Sequence, residues 1–347
     1  MKKKILIGVA SVIALVIVLG LLQALVIPKY ATNQEGLLTG AYYDHAGGHD
    51  VIFIGDCEVY ENFVPSVLWR EYGITSYIRG NGQQLVWHSY SLLRETFEYE
   101  KPKVVVFNVY ALKYGEPQNE ELNRQIFDGM KWSEAKIDGI NDSMLEDEKF
   151  WHYVFPLLHF HSRITELESE DFEYWFSTPE LMADNGYLIN TGTDPMPEQP
   201  PAPDEPDEPL PERAMEYLEK IRLLCEENGS ELVLVKAPTN PTAFYWFDQW
   251  EEQIIEYASE KGVEYYNFIP EAENIGIDWQ TDTHDKGLHL NVYGAEKLTK
   301  YFGSILRDNH GLTSHKDEAD TAERWNSYYS EYERKKKEME NRVDEKS

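Results

Sequence analysis

Two groups of residues, far apart in the sequence, have the types and the spacing of a nucleophile and its base. Cys57 follows the apolar run VIFIGD, where a strand is expected to end and a helix to begin. A nucleophile is well placed at such a turn, because it is exposed and the helix N-terminus stabilises negative charge. His289 stands in DTHDKGLHLNVYGAEKL, four residues after Asp285 and seven after Asp282. Cys57 could then attack an acyl carbonyl while His289 takes its proton, and either carboxylate could hold the imidazole tautomer.

The side chain of Cys57 allows three interpretations. As a nucleophile, its thiol has an ordinary pKa near 8.5, and a helix N-terminus with an adjacent imidazolium could leave it largely ionised at neutral pH. The neighbouring Asp56 would oppose that ionisation. Alternatively, Cys57 is a small buried hydrophobic residue. It could also form a disulfide with Cys225, the other cysteine of the chain, but Cys225 stands on the apolar stripe of a predicted helix and is expected to pack in a core.

The pattern of apolar residues predicts the elements that position these groups. Continuous apolar runs typical of buried parallel strands occur at 51–54, 76–78, 104–109, 232–235 and 263–268. Helical spacing occurs at 83–99, 211–228, 249–261 and 294–308. The alternation of strand and helix predicts an α/β fold, a three-layer α/β/α sandwich with a central, mainly parallel sheet. Its active groups are expected at the carboxyl ends of the strands.

The N-terminus predicts a transmembrane helix before this domain. Residues 5–27 are almost wholly apolar and follow three lysines. At about 1.5 Å per residue they span roughly 34 Å, enough to cross a bilayer. The lysines favour the cytoplasmic side, which places the rest of the chain outside the cytoplasm as a single-pass protein of the cell membrane. A cleaved signal peptide is the competing interpretation.

The chain divides into three parts on this basis. Residues 1–28 form the lysine cluster and signal anchor, and residues 29–312 form the α/β domain. Two segments interrupt that domain: a predicted helical insertion at 116–190, without a clear strand, and an exposed loop rich in proline and acids at 192–211. Residues 313–347 are a charged C-terminal helix or tail, whose aromatic stripe is expected to dock onto the domain and whose end is expected to fray.

Charge and composition exclude several classes of function. The chain has 62 acidic and 32 basic residues, a formal net charge of −30, which argues against binding nucleic acid or an anionic membrane surface through a basic face. It contains no CxxC or HExxH motif and no glycine-rich phosphate loop. We therefore expect no metal and no other cofactor.

Three sequence blocks resemble a known family. FIGDC resembles the first block of SGNH/GDSL hydrolases and acyltransferases, in which a nucleophilic serine follows the first strand in the motif G-D-S. DKGLHLNVYGAEKLTKYF is similar to the last block, which carries D-x-x-H, and Gly82 in SYIRGNGQQL matches the glycine of the second. The resemblance covers roughly residues 50–307 without the two insertions. It implies that the backbone N–H groups of Cys57 and Gly82, with the side chain of Asn108, form an oxyanion hole.

The sequence departs from this family in three places. Cys57 replaces the serine, and Asp285 stands four residues before His289 instead of three. The usual G-x-N-D block is missing, because Asn108 in VVVFNVYAL is followed by valine. The resemblance implies a membrane-anchored, extracytoplasmic esterase or acyltransferase acting on acyl esters of cell-envelope glycans or teichoic acids. The alternative is a non-catalytic protein of the same fold that recognises a glycan or assists a membrane-bound acyltransferase.

Overall fold

A five-stranded parallel sheet forms the centre of the protein. The computed structural model describes residues 2–29, 34–195, 208–240 and 246–344. The strands are β1 (Val51–Gly55), β2 (Ser76–Gly80), β3 (Val104–Asn108), β4 (Ala183–Asp184), β5 (Tyr187–Leu188), β6 (Glu231–Lys236) and β7 (Glu264–Asn267). The sheet has the order β2-β1-β3-β6-β7, and every neighbouring pair is parallel. All five strands of this sheet coincide with predicted strands, whose ends differ by at most two residues.

Helices cover both faces of the sheet, which confirms the predicted three-layer α/β/α class. The helices are α1 (Lys2–Val26), α2 (Glu35–Ala41), α3 (Cys57–Tyr60), α4 (Pro65–Tyr72), α5 (Val86–Tyr99), α6 (Glu120–Phe127), α7 (Glu134–Ser143), α8 (Phe150–Val154), α9 (Leu157–Phe160), α10 (Ser169–Glu173), α11 (Glu212–Asn228), α12 (Asp248–Lys261), α13 (Ala272–Ile275), α14 (Val292–Asn309) and α15 (Ala319–Asp344). Short 3-10 helices occupy Tyr42–Asp44, Val109–Lys113 and His161–Thr165. Helices α4, α14 and α15 pack on one face of the sheet, and α5, α11 and α12 pack on the other.

Alternate strand residues supply the two cores. Val51 and Phe53 of β1 pack among α4 and α14, whereas Val105 and Phe107 of β3 pack among α5 and α11. Strands buried on both faces need apolar side chains in both directions, which explains the unbroken apolar runs of the sequence. Cys225 lies in the second core and Cys57 borders the first, and both thiols are free. The structure therefore contains no disulfide between them.

The insertion at 116–190 is mainly helical, but it also contains a hairpin that the sequence pattern did not predict. Its helices are α6 to α10, and the two-residue strands β4 and β5 pair antiparallel around Asn185 and Gly186. The Asp184 carboxylate accepts hydrogen bonds from the backbone N–H of Ser66 at 3.1 Å and from its hydroxyl at 2.8 Å. These bonds tie the hairpin to the start of α4. Residues 196–207 of the predicted acidic loop lie outside the described residues, so that loop stays a prediction.

The C-terminal helix α15 is part of the packed domain. Trp325 is fully buried and stacks on Trp69 of α4, with the ring centroids 5.8 Å apart, and the Trp69 indole donates to Asn326 at 3.0 Å. Tyr332 is also buried, which confirms the predicted docking of the aromatic stripe. The helix continues to Asp344, and the fraying expected from about residue 334 stays a prediction. Beyond Tyr332, an ion pair between Lys336 and Glu296 at 2.6 Å joins the helix to α14.

The N-terminal helix α1 is long and apolar enough to cross a membrane. Most of its side chains are exposed, and only Leu25 and Val26 at its C-terminal end are buried. That end packs against α9, α10 and the 3-10 helix at His161–Thr165. The helix therefore contacts the insertion near Val26 and leaves its remaining apolar surface uncovered.

We expect Trp325→Ala to lower the free energy of unfolding by about 3–5 kcal/mol, because it leaves a cavity beside Trp69. Denaturant unfolding of the full chain in detergent micelles measures this change. The exposed residue Ser327, two positions further along α15, supplies the control Ser327→Ala, which should change stability by less than about 0.5 kcal/mol. Equal effects of the two substitutions would contradict the packing of α15 as an integral helix.

Candidate active site

Cys57 lies at a strand–turn–helix junction in the middle of the sheet. Gly55 ends β1 with a φ of +152°, and a Cβ at this position would lie 3.2 Å from Cβ of Asn108 and 3.3 Å from Cγ1 of Val59. Only glycine allows the chain to pass so close to β3. Asp56 then caps α3 by accepting the backbone N–H of Glu58 at 3.1 Å, and Cys57 is the first residue of that helix. The predicted turn is therefore present, although α3 is a single turn whose dipole is small.

The base comes from the loop before α14. An isolated antiparallel bridge pairs Thr283 with Leu290, and the chain turns between them through Lys286 at φ +65° and Gly287 at φ +91°. The hydroxyl of Thr283 accepts the N–H of Gly287 at 2.8 Å. This turn brings Asp285 back towards His289, four residues later in the chain.

Asp285 holds the imidazole of His289 from two directions. One carboxylate oxygen lies 2.6 Å from Nδ1 of His289, and the other accepts the backbone N–H of His289 at 2.8 Å. Asp282 instead pairs with Lys297 at 2.6 Å and accepts the backbone N–H of Asp278 at 2.8 Å. Of the two carboxylates that the sequence left open, Asp285 is the one that contacts the histidine.

The outer nitrogen of His289 is buried beside Cys57. Within the described part of the chain, Nε2 of His289 has no hydrogen-bond partner. The thiol of Cys57 and this imidazole nevertheless influence each other's pKa, so the two side chains are neighbours. A ring held at Nδ1 and open at Nε2 is the arrangement that a general base requires.

Two asparagines fix the histidine loop. Asn62, just after α3, accepts the backbone N–H of Leu290 at 2.9 Å. Asn291 caps α14 by accepting the N–H groups of Tyr293 and Gly294, and its amide donates to Thr281 at 2.8 Å. The sequence H-L-N therefore places a base directly before a capped helix and ties it to the nucleophile's own turn.

Glu61 and His284 also lie at the site. Nε2 of His284 lies 2.5 Å from a carboxylate oxygen of Glu61, and the same oxygen lies 3.5 Å from Nδ1 of His289. Glu61 follows Cys57 by four residues, one helical turn, which was the available signal for its position. Two carboxylates, Glu61 and Asp285, thus flank one imidazole.

These side chains could also hold a metal ion. Ligand atoms of Glu61, His284, Asp285 and His289 all lie within 4.8 Å of one another, and such a nitrogen and oxygen set suits Zn²⁺. Each histidine is already hydrogen-bonded to a carboxylate, which accounts for the cluster without an ion. A second group combines Glu120, His152 and His159 in the insertion. The expectation of a metal-free protein stays a prediction.

Burial keeps Cys57 protonated. It raises the pKa of the Cys57 thiol to about 11, and the charges of Asp56 and Glu61 act in the same direction, while His289 opposes them. This direction runs against the ionised thiol that a helix N-terminus and an imidazolium could produce, and agrees with the opposing effect expected of Asp56. The short helix α3 supplies too little positive potential to outweigh the desolvation of the sulfur.

The same environment favours a charged imidazole. Burial lowers the pKa of His289, but the charge of Cys57 when it is ionised, the charge of Glu61 and the hydrogen bond to Asp285 raise it well above its ordinary value. Because Cys57 is protonated at neutral pH, the two carboxylates stabilise the imidazolium in the resting site. Burial opposes ionisation of Asp285, yet the hydrogen bond and charge of His289 hold the pKa of this carboxyl below its usual value.

The predicted oxyanion-hole residues have different surroundings. Asn108 is fully buried, and its amide nitrogen donates to Glu58 at 2.7 Å and to Asp56 at 3.2 Å. Both N–H groups of this amide are thus occupied by carboxylates in the resting structure. Gly82 lies in the turn after β2, where a Cβ would be 3.9 Å from the hydroxyl of Tyr60 in α3. The oxyanion roles of Gly82 and of the Cys57 backbone stay predictions.

A buried ion pair lies beside the nucleophile turn. Glu58 and Lys236 are both fully buried, and their charged atoms are 2.6 Å apart. Lys236 also donates to the carbonyl oxygen of Ala237 at 2.8 Å. Burial and the charge of Glu58 raise the pKa of Asp56 to about 6. The lone lysine at the end of the apolar run LVLVK was the sequence signal for a buried partner.

Comparisons with known proteins do not identify a family or a function for this chain. No protein-family model and no curated protein matches this sequence. Among solved structures, the chain is similar to that of a "putative acylhydrolase" from Bacteroides fragilis, with 10% sequence identity and a TM-score of 0.37. The match covers 82% of this chain and 100% of the other. A likeness at this TM-score carries no argument about function.

We expect Lys236→Met to destabilise the protein by about 3–5 kcal/mol, because it leaves the Glu58 carboxylate buried without its counter-ion. The double variant Glu58→Leu/Lys236→Met should lose much less stability than the sum of the two single variants. Denaturant unfolding of all four proteins gives the coupling energy. Additive losses would contradict a direct interaction between the two charges.

We expect alkylation of Cys57 by iodoacetamide to be slow at pH 7 and to rise about tenfold per pH unit towards the raised pKa of the thiol, because the thiolate is the reacting form. Asp56→Asn should react faster at pH 8, since it removes a charge that raises this pKa. Mass spectrometry follows the reaction. Cys57→Ala is the control, because Cys225 is buried and its pKa is raised to about 12. Fast labelling that does not change from pH 6 to 9 would refute a protonated thiol.

Proposed function

We propose that this protein is an esterase or acyltransferase that transfers an acyl group through a thioester on Cys57. The observation that carries the proposal is the contact between Asp285 and Nδ1 of His289, whose imidazole neighbours the Cys57 side chain. The position of Cys57 directly after β1 supports it further, because the strand order reverses between β1 and β3 and doubly wound sheets bind ligands at that point. The resemblance of FIGDC and DKGLHLN to the SGNH blocks agrees with the same roles.

The reaction would begin with the loss of one proton from the resting site. Neutral His289 then accepts the thiol proton at Nε2 while the sulfur of Cys57 bonds to the carbonyl carbon of an ester. Collapse of the tetrahedral adduct breaks the ester C–O bond, and the imidazolium returns its proton to the departing alkoxide. A water molecule or an acceptor hydroxyl next attacks the thioester, with His289 as its base, and the thiol is restored. Asp285 keeps the imidazole in one orientation throughout.

The sulfur imposes a condition on the first step. A thiolate is a better leaving group than an alkoxide, so the tetrahedral adduct of an oxygen ester tends to expel sulfur. Protonation of the alkoxide by His289, which carries the thiol proton at that stage, reverses that preference. We propose acyl esters of cell-envelope glycans or teichoic acids as substrates, and an extracytoplasmic location for the domain, on the resemblance and on the lysines before α1.

A second candidate function is a non-catalytic binding or scaffold protein that recognises a glycan or assists a membrane-bound acyltransferase. Two observations favour it. Burial raises the pKa of Cys57 to about 11, so the resting nucleophile is not ionised. The Asn108 amide is bonded to Glu58 and Asp56, so it offers no N–H to a substrate in this conformation. A protein that kept its base after losing ester chemistry would have such a site.

Incubation of the full chain with p-nitrophenyl acetate distinguishes the two candidates. We expect release of p-nitrophenolate together with one acetyl group on Cys57, located by peptide mass spectrometry. His289→Ala should lower the acylation rate by about 10²–10⁴-fold, and Asp285→Asn by a comparable factor, because the first removes the base and the second its orientation. Asp282→Asn is the matched control, since this carboxylate pairs with Lys297 instead, and it should retain the rate.

The outcome for Cys57 decides between enzyme and scaffold. Cys57→Ala should abolish the adduct, whereas Cys225→Ala should leave it unchanged. An acylation rate that is the same in His289→Ala and in the unchanged chain would exclude the proposed site. Activity that arises only after Cys57→Ser would instead favour the scaffold.

A further inference from the structure

The helical insertion exposes an unusual concentration of large apolar side chains. Six of them are between 50% and 74% exposed. They are Trp151, Phe155, Leu158, Ile164, Phe172 and Phe176. We call the surface that they form along residues 151–176 the aromatic face. Scattered apolar residues on a protein surface are ordinary, but so many in one short segment indicate a surface that water does not cover in the working protein.

Aromatic rings of residues 151–176 pack against one another but remain exposed. Trp151 stacks on Phe155 with centroids 6.4 Å apart, and Trp175 stacks on Phe176 with centroids 5.1 Å apart. Phe172 meets Trp175 edge to face at 6.1 Å. The segment that contains α8, α9 and α10 therefore presents paired rings on its outside instead of directing them into the two cores of the sheet.

The aromatic face is continuous with the apolar helix α1. The indole N–H of Trp175 donates to the carbonyl oxygen of Leu21 at 2.9 Å, and the guanidinium of Arg163 donates to that of Val26. Arg163 is in turn fixed by Asp171 at 2.8 Å. Leu21 is still exposed, whereas Val26 is buried. The aromatic segment thus contacts the chain where the exposed apolar surface of α1 ends, the level at which a spanning helix leaves the hydrocarbon core.

Charge and residue type identify the occupant. The chain has a net charge of −30, so attraction to anionic lipid headgroups is not what holds this surface. Tryptophan and other amphipathic rings accumulate where the bilayer meets water, and burial of apolar area drives such contacts. A helix that enters the bilayer beside the aromatic face brings that interface to it. We propose that the aromatic face lies in the interface of the membrane that α1 crosses, as a second membrane contact of the domain.

This contact would orient the candidate site. A cavity of about 630 Å³ separates the end of α1 from α6 and α9, and its lining includes Ile27, Gln125 and His159. The side-chain oxygen of Gln125 is 3.8 Å from the place that a Cβ on Gly82 would occupy. The turn after β2 therefore lies next to the cavity at the end of α1. The aromatic face fixes the tilt of the domain, and with it the side from which a substrate held at the membrane reaches this turn.

Photocross-linking to lipid tests the proposal on the full chain in phosphatidylcholine nanodiscs. Phe155 and Phe176 are replaced one at a time by p-benzoylphenylalanine, which bonds to C–H groups within its reach on irradiation. We expect lipid adducts at both positions by mass spectrometry, unchanged in high salt because the contact is apolar. Val16 in the exposed part of α1 is the positive control. Leu223 and Ile255, exposed apolar residues of α11 and α12, are matched controls and should give no lipid adduct.

Two patterns of adducts would contradict a membrane contact of the aromatic face. Lipid adducts at Val16 without any at Phe155 or Phe176 would overturn the proposal and leave α1 as the only membrane contact. Adducts between protein chains at these two positions, in place of lipid, would identify the surface as a protein interface and overturn it too. The proposal does not depend on catalysis, so the Cys57→Ala variant should give the same adducts as the unchanged chain.

Discussion

The candidate site depends on one buried ion pair, between Glu58 and Lys236. Glu58 belongs to the turn of helix that follows β1, and Lys236 is the last residue of β6. Asn108 at the end of β3 lies between those strands and donates to Glu58. Three strands of the sheet therefore end on one group of hydrogen-bonded charges, and Cys57 occupies the residue before Glu58. Buried charges stabilise little by themselves, but an unpaired one is costly, so the pairing strongly restricts where this turn can lie.

The carboxylates around Cys57 also oppose ionisation of its thiol. Asp56, Glu58, Glu61 and Asp285 all lie within this region of the structure. Carboxylates near an imidazole make it a stronger base, but near a thiol they oppose its ionisation. Nearby carboxylates would not have this effect on a serine, because a serine hydroxyl is not ionised before attack. In the reaction proposed above, the thiol and the imidazole would therefore not form the thiolate–imidazolium pair in advance, and proton transfer to His289 would accompany attack.

Sequence patterns predicted what depends on local periodicity. The five sheet strands and the helices α5, α11, α12 and α14 were found because apolar runs and helical stripes determine them. The strands β4 and β5 have only two residues each, which is too short to produce an alternating pattern. Their position depends instead on the hydrogen bonds of Asp184 to Ser66, which are far apart in the sequence. The contacts of Glu61 with His284 and His289 depend on how the loop before α14 packs on α3, which no periodicity describes. The sequence could not show whether Asp282 or Asp285 contacts His289. The structure shows that Asp282 pairs with Lys297 of α14, which leaves Asp285 for the histidine.

The acidic residues and the exposed apolar residues of this chain form different surfaces. An acidic domain remains soluble beside a membrane and is repelled by anionic headgroups, so it needs apolar contacts to stay at a fixed distance from the bilayer. A single spanning helix would leave the domain free to rotate about the end of that helix. The hydrogen bonds from Trp175 and Arg163 to the last turns of α1 remove that freedom within the protein. Rings placed in the lipid interface, as proposed, would remove it relative to the membrane.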